Sequence, residues 1–259
     1  ARLEQRLGVR LFDRNARAVS LTDEGRRLYE SVAPLVSAIE EAMDSTARAT
    51  GRVRGRLRVN VDPWFSRMVL APRIDGFMQR HPELELELQA SDSIGNLVAE
   101  GMDVALRYGA PHGGAGLIAR KILDTRIITC AAPSYLARRG RPSVPRDLER
   151  HTCILFRDPS TGRPFEWELH QKRKRVRIDA RGPLYFNDAT TAVGACLAGA
   201  GIAQLMAFGT EELFASGALV NLFPRWTDEL FPLYAYHPSS RLPPAKVRAF
   251  IDFAVESTR

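Results

Sequence analysis

The chain has 259 residues, 45% of them hydrophobic and 26% charged, with a formal net charge of +7. That is a globular balance with material for a real core and room for more than one domain, and the basic excess favours a polyanionic partner where it is clustered. No apolar run approaches the roughly 20 residues of a membrane span, no secretory leader is recognisable, and Cys130, Cys153 and Cys196 lack the spacing of a disulfide framework. A reducing, cytoplasmic setting without a membrane partner fits, with the thiols either plainly buried or, if accessible and of low pKa, redox-sensing.

The opening residues form a basic amphipathic helix in which Leu3 and Leu7 stand one turn apart, and Gly8 is placed to end it in a left-handed cap. The pattern starts without an initiator Met and in mid-helix, so a natural chain extending upstream is expected. Val9, Leu11 and Phe12, the polar turn 13–18, and Val19-Ser20-Leu21 read as a small hairpin. Thr22 then N-caps a helix with Asp23 and Glu24 in its first turn. Only Pro34 interrupts this helix before about Thr50. Leu28, Val32, Leu35, Ile39, Ala42 and Thr46 make a heptad seam suited to a partner helix, the alternative being packing on its own domain. At 1.5 Å per residue the helix would be roughly 40 Å long. Gly51 and Gly55, with arginines between them, read as a hinge.

Beyond the hinge, Leu57, Val59 and Val61 alternate with polar residues and predict a strand, followed by a helix from about Ser66 to Arg80. Leu84, Leu86 and Leu88 alternate with Glu83, Glu85 and Glu87 as a second strand. Ile94, Leu97 and Val98 mark a helix stopped at Gly101, and Val104-Ala105-Leu106 is a third strand. This alternation predicts a doubly wound, largely parallel sheet. A second series starts near Ile127 and takes in a helix from Pro133, a strand at Cys153–Phe156, a hairpin within 165–178, and a strand at Leu184–Phe186. A helix over 189–198, a strand at Ile202–Leu205, a helix from Phe208 to Ala215, strands at Leu219–Leu222 and Leu233–Tyr236, and a helix from Pro244 to Val255 complete it.

The run Arg2-Leu3-Glu4-Gln5-Arg6-Leu7-Gly8-Val9-Arg10-Leu11-Phe12-Asp13-Arg14 and the run Ser20-Leu21-Thr22-Asp23-Glu24-Gly25 resemble the second half of the LysR-type DNA-binding domain. The resemblance continues at Gly101–Arg107, Ala132–Leu136, Asn187-Asp188, Ala198–Ala203 and Lys246–Ile251, in the family's order along essentially the whole chain. It implies an α/β fold: a two-lobed periplasmic-binding-protein-like effector module, preceded by a long linker helix and the remnant of a winged helix-turn-helix. The implied division is 1–22 for the DNA-binding remnant, 23–54 for the dimerisation helix and hinge, and 55–259 for the effector module. Lobe I would take 55–123 and 232–259, and lobe II 124–231. The implied partners are double-stranded operator DNA, a small-molecule effector between the lobes, and further copies of the chain in a homodimer or homotetramer. The first helices of the DNA-binding domain and most of its recognition helix are missing from the pattern.

Arg17 matches the family's wing-tip arginine and Arg14 its wing entry, where an arginine suits a narrow minor groove. Arg2 and Arg6 are placed to contact phosphates, which sets register and affinity without reading sequence. For each of these the alternative is a solvated surface. Ser91 matches a position where a hydroxyl often faces the effector. Asp92 and Ser93 either border an anion site at a helix start or simply cap that helix. The turn Asp62-Pro63-Trp64-Phe65-Ser66 faces the cleft by topology, and Trp64 either stacks on the effector or is a core aromatic. Asp62 in a pocket disfavours an anionic ligand unless paired. Asn187 and Asp188, opposite Ser91, either orient the ligand or cap the next helix. The loop from Tyr108 to Gly114 borders the cleft, its glycines too irregular for a nucleotide fingerprint.

Lys172-Arg173-Lys174-Arg175 reads as a solvated hairpin edge. The five histidines have no metal-ligand spacing, and no nucleophile elbow, P-loop or metalloprotease pattern calls for a cofactor or for catalysis. Two alternatives stand beside the regulator. A solute-binding protein of a transport system would share the two-lobed module but predicts a secretory leader in place of the basic helix and wing. An enzyme on the same scaffold would turn its ligand over.

Overall fold

The computed structural model describes every residue except 1, 16–17, 30, 33–34, 37–38, 40–52, 92–96, 98–99, 110–115, 159–160 and 239–242. The chain opens with α1 (Arg2–Leu7) and a two-stranded antiparallel hairpin, β1 (Phe12–Asn15) and β2 (Ala18–Leu21). Helix α2 begins at 23 and remains helical wherever it is described up to 39. The expected positions Pro34, Ala42 and Thr46, the hinge residues Gly51 and Arg52, and most of the helix around Ile94 and Val98 lie outside the described residues.

Parallel strands β3 (Arg54–Val61), β4 (Glu83–Ala90) and β5 (Val104–Tyr108) form the first lobe's sheet, with β3 in the middle. The alternating leucines of β4 explain its edge position: one face packs inward while Glu87 pairs with Arg56 and Arg58 of β3. Leu57, Val59, Val61, Val104 and Leu106 are fully buried. They pack against the segment after β3 and against α8 (Ala245–Glu256), whose Phe250 is also fully buried. Each such side chain contributes about 1.5–3 kcal/mol.

Two long antiparallel strands run between the lobes. Strand β6 (Leu117–Ala131) carries the chain into the second lobe and β13 (Leu230–Pro238) brings it back, paired from Leu230↔Arg126 to Pro238↔Leu117 with an irregularity between Leu233 and Tyr234. In the second lobe β6 pairs with β11 (Ile202–Met206), which is parallel to β7 (Cys153–Phe156), itself parallel to β10 (Leu184–Phe186). Helices α5 (Pro133–Arg139), α6 (Ala189–Leu197) and α7 (Glu211–Ala215), the short β12 (Val220–Asn221) and the hairpin β8 (Trp167–Gln171) with β9 (Lys174–Ile178) complete it. Among the described residues no helix is long and apolar enough to cross a membrane.

Three expectations change. The helix expected from about Ser66 starts at Pro63 as α3 (Pro63–Phe65), because the Asp62 carboxylate accepts the Phe65 N–H at 2.9 Å and proline suits a first turn. It runs on through a π-helical Ser66–Leu70 and a 3-10 Ala71–Arg73 into α4 (Ile74–Arg80). The second series begins at Leu117, not near Ile127. The charges Arg120, Lys121, Asp124 and Arg126 disguise a strand whose outer side is solvated and ion-paired with Asp252, within the strand, and with Asp228. The helix expected from Phe208 begins at Glu211, because Phe208 and Gly209 (φ 86°) form a turn held by other elements.

The motif residues Asp103 and Lys246 act as ties in this fold. Asp103 accepts the Arg58 N–H at 2.8 Å and pairs with the Lys246 ammonium at 3.1 Å, and Lys246 also donates to the Arg56 carbonyl. The pair joins the loop before β5 and the start of α8 to β3.

Candidate functional site: a basic head and an interlobe cleft

At the N-terminal end, Glu4 of α1 accepts the N–H groups of Leu11 and Phe12, fixing the helix to the hairpin. Gly8 takes φ 69°, the left-handed conformation its cap position requires. Thr22 caps α2 by accepting the Gly25 N–H at 3.0 Å and donates to the Arg10 carbonyl at 2.6 Å. Arg2 opens α1, Arg6 is exposed near its end, and Arg14 sits in β1 opposite Val19. Arg17 lies outside the described residues. On α2, Val32, Leu35 (63% exposed), Val36 and Ile39 (61%) turn apolar side chains to solvent. From Val32 to Ile39 the described seam positions are therefore not consumed by the chain's own core.

The lobes meet where Trp64, just after β3, packs into the second lobe and bonds to Phe208, just after β11; such strand ends are where an α/β sheet presents loops and helix starts to a ligand. Two expected residues turn out to cap helices. Asp62 caps α3, and Asp188 caps α6 by accepting the N–H groups of Thr190 and Thr191 and the Thr191 hydroxyl. Trp64 crosses the cleft: it is 3% exposed, packs among Cys130, Ile154, Ala192 and Leu205 of the second lobe, and donates its indole N–H to the Phe208 carbonyl at 3.0 Å. The Phe208 N–H is held in turn by the Thr125 hydroxyl on β6, also at 3.0 Å. A Cβ on Gly209 would come within 3.0 Å of the indole nitrogen, so the close approach needs glycine. Ser66 is half-buried in the π-helical turn, Ser91 is half-buried and donates its N–H to the Val61 carbonyl, and Asn187 is exposed. Asp92 and Ser93 lie outside the described residues.

Residues 50–259 match the family model of the LysR substrate binding domain, and residues 1–26 match that of the bacterial regulatory helix-turn-helix protein, lysR family. The chain belongs to the LysR-type transcriptional regulators. It is 33% identical over 254 residues to the HTH-type transcriptional repressor PA14_22550 of Pseudomonas aeruginosa, covering 98% of this chain and 80% of that protein. It is also 33% identical to DmlR of Escherichia coli over 98% of this chain and 81% of that one. The structure of CrgA from Neisseria meningitidis superimposes with a TM-score of 0.72 at 29% identity, covering 99% of this chain and 86% of CrgA. Full-length AphB of Vibrio cholerae gives 0.68 at 27%, covering 100% and 87%.

This LysR-type chain is thus a DNA-binding transcriptional regulator with an effector-binding module. The helix-turn-helix match at its head decides against the solute-binding reading, which shares the two lobes but not the head.

Three charged residues near the lobe junction, Arg67, Arg107 and Glu211, were not candidates from the sequence. Arg67, on the π-helical turn of the first lobe, acts electrostatically on Asp188 of the second. Arg107 is 4% exposed beneath the cleft, donating to the Leu106 carbonyl at 2.6 Å and to the side chain of Asn60. Glu211 accepts the Gly209 N–H beside Trp64. Spacing could not reveal the neighbours Arg67–Asp188 and Arg107–Asn60, because the fold assembles those pairs.

The cysteines are all buried. A shared hydrogen bond with Cys196, together with burial, pushes the Cys130 thiol well up, and burial pushes Cys153 up to about 11. These two lack the low pKa and access of sensor thiols. The basic run Lys172–Arg175 lies at the hairpin turn, where Lys172 has φ 53° and Arg175 pairs with Glu168.

Burial alone would raise the Asp188 carboxyl, but the bonds from Thr191 and Thr190 and the charge of Arg67 outweigh it and hold it below the usual aspartate range. A group lowered in this way stabilises the fold above its unfolded pKa, and the contribution is lost as pH falls through the folded pKa. Asp188→Ala is expected to cost about 1 kcal/mol at pH 7 as a lost cap. The gap from the parent protein should narrow below about pH 4, which thermal melts across pH would measure. A gap that widens on acidification contradicts this account.

Proposed function

We propose that this regulator couples a small-molecule effector, bound between its lobes, to the grip of paired heads on double-stranded operator DNA. The observation that carries this reading is the pair of crossing strands: β6 and β13 join the two halves of the sheet, so that the lobes can move against each other about them. A ligand touching both lobes favours one lobe arrangement over another and shifts the population accordingly. In this reading residues 1–22 are the DNA-binding remnant, 23–54 the dimerisation helix and hinge, and 55–259 the effector module, with lobe I at 55–123 and 232–259 and lobe II at 124–231. Arg2 and Arg6 hold phosphates, and Arg14 and Arg17 serve the wing. Asp62, Trp64, Ser66, Ser91, Asp92, Ser93, Asn187 and Asp188 surround the effector.

The open seam on α2 supports assembly through that helix into a homodimer or homotetramer, which would space the heads for a two-fold operator. Leu35→Asp should shift the oligomer toward monomer in sedimentation velocity, since a buried unpaired charge in such a seam is costly. An unchanged sedimentation coefficient would reject α2 as the interface. The reading as a whole is tested by a thermal-shift screen of small molecules, because a ligand of the native state raises apparent stability, followed by DNA binding with each hit. Hits that leave operator affinity unchanged would remove the coupling.

A further inference from the structure

The Tyr108 hydroxyl is buried and has no hydrogen-bond partner among the described residues. It stands at the end of β5, with its ring against both lobe cores. A buried hydroxyl without a partner is costly and needs a reason in the molecule.

The rings around it form a chain across the cleft. Phe65 meets Tyr108 edge-on at 6.5 Å, and Tyr108 stacks on Phe231 of β13 at 5.8 Å with 6° between planes. Phe231 meets Phe165 edge-on at 6.4 Å, and Phe165 lies over Phe156 at 6.2 Å. Phe65 and Tyr108 belong to the first lobe, Phe156 and Phe165 to the second. Phe165 is 42% exposed, so the chain of rings is open at that end.

Resting on the cleft as the effector site, we propose that its ligand is an uncharged aromatic molecule carrying a hydroxyl group, with the ring held along these aromatics and the hydroxyl accepting the Tyr108 proton. Burial, then Asp62 from the first lobe and Glu211 from the second, push the Tyr108 hydroxyl well above its usual range, so it remains a donor at every working pH. The same two carboxylates repel a negatively charged ligand. A ligand hydroxyl accepts from Tyr108 and can donate its own proton to a carboxylate, whereas a ligand carboxylate could accept from Tyr108 but has no proton to donate and is repelled by Asp62 and Glu211.

The test uses p-cresol and 4-hydroxybenzoate as probes in equilibrium calorimetry on the purified chain. We expect p-cresol to bind about tenfold more tightly than 4-hydroxybenzoate. Tyr108→Phe should weaken p-cresol about tenfold, the worth of one good hydrogen bond. The same substitution should leave the ligand-free melting temperature unchanged or higher, since it removes an unpaired polar group; this separates lost recognition from lost folding. No saturable p-cresol binding up to millimolar concentration overturns the proposal. If 4-hydroxybenzoate binds as well, and its affinity falls on Phe165→Asp but not on Tyr108→Phe, the ligand class is wrong while the cleft stands. A probe that alters operator binding while both substitutions leave its affinity untouched would take down the cleft reading as well.

Discussion

Trp64→Ala is expected to destabilise the protein by about 3–5 kcal/mol, at the upper end for a buried aromatic. The reason is its position. The residue belongs by chain order to the first lobe, yet its ring fills the second lobe's core beside Cys130, Ile154 and Leu205. Truncation would leave a cavity that neither lobe can close alone, and would strand the Phe208 carbonyl that the indole N–H now satisfies. Trp64→Phe keeps much of the apolar area but removes the donor and part of the bicyclic ring, so it should cost less, about 1–2 kcal/mol. Denaturant titrations of the two variants separate the contributions. We also expect the alanine variant to unfold in two resolved steps in a calorimetric scan, since the side chain by which the first lobe enters the second lobe's core is gone. A loss below about 1 kcal/mol, with a single transition, would show that the lobes are held together elsewhere.

In the full-length protein, with its recognition helix, Gly25→Ala is expected to weaken operator binding with little change in effector affinity. A Cβ at Gly25 would fall 2.0 Å from the backbone oxygen of Leu11. Backbone cannot rotate away as a side chain can, so the first turn of α2 must move from the hairpin or unwind. Five hydrogen bonds converge there: the Thr22 N–H on the Leu11 carbonyl, the Thr22 hydroxyl on the Arg10 carbonyl, the Gly25 N–H on the Thr22 hydroxyl, and the N–H groups of Leu11 and Phe12 on Glu4. Overpacking a closed site costs about 2 kcal/mol, which as lost binding energy is roughly thirtyfold in Kd. Fluorescence anisotropy with operator DNA would measure it, with effector calorimetry as the control. Unchanged DNA affinity would mean that the angle between hairpin and helix is not transmitted to the DNA.

Much of the architecture was legible because it is written in local patterns. The alternating leucines and glutamates of 83–88 could only be a half-buried strand, and they form the edge of the first sheet. Gly8 and Thr22 sit where helix ends need a left-handed residue and a side-chain acceptor. The stretch from Leu117 to Arg126 was illegible for the same reason: its charges break the apolar pattern, and only its pairing with β13 shows it to be a strand. The Gly101–Arg107 and Lys246–Ile251 segments, conspicuous as family marks, prove to include the tie between Asp103 and Lys246.

The candidate site divides along the same line. Residues near in sequence declared some local roles, so that Asp188 could be read as a possible cap, whereas the cap at Asp62 emerged only with a helix that starts at Pro63 instead of near Ser66. Trp64 and Phe208 are 144 positions apart, and Tyr108 reaches Phe231 only because β13 returns beside β5 after the whole second lobe has been built. Periodicity carries information over a turn or a strand, and it marked most of the elements, while their exact ends at Pro63, Glu211 and Leu117 came from the fold and the kinship of the chain from its ordered motif runs. Which side chains share a low-dielectric space depends on how strands cross between lobes, and that crossing alone set the Tyr108 hydroxyl among aromatic rings and carboxylates.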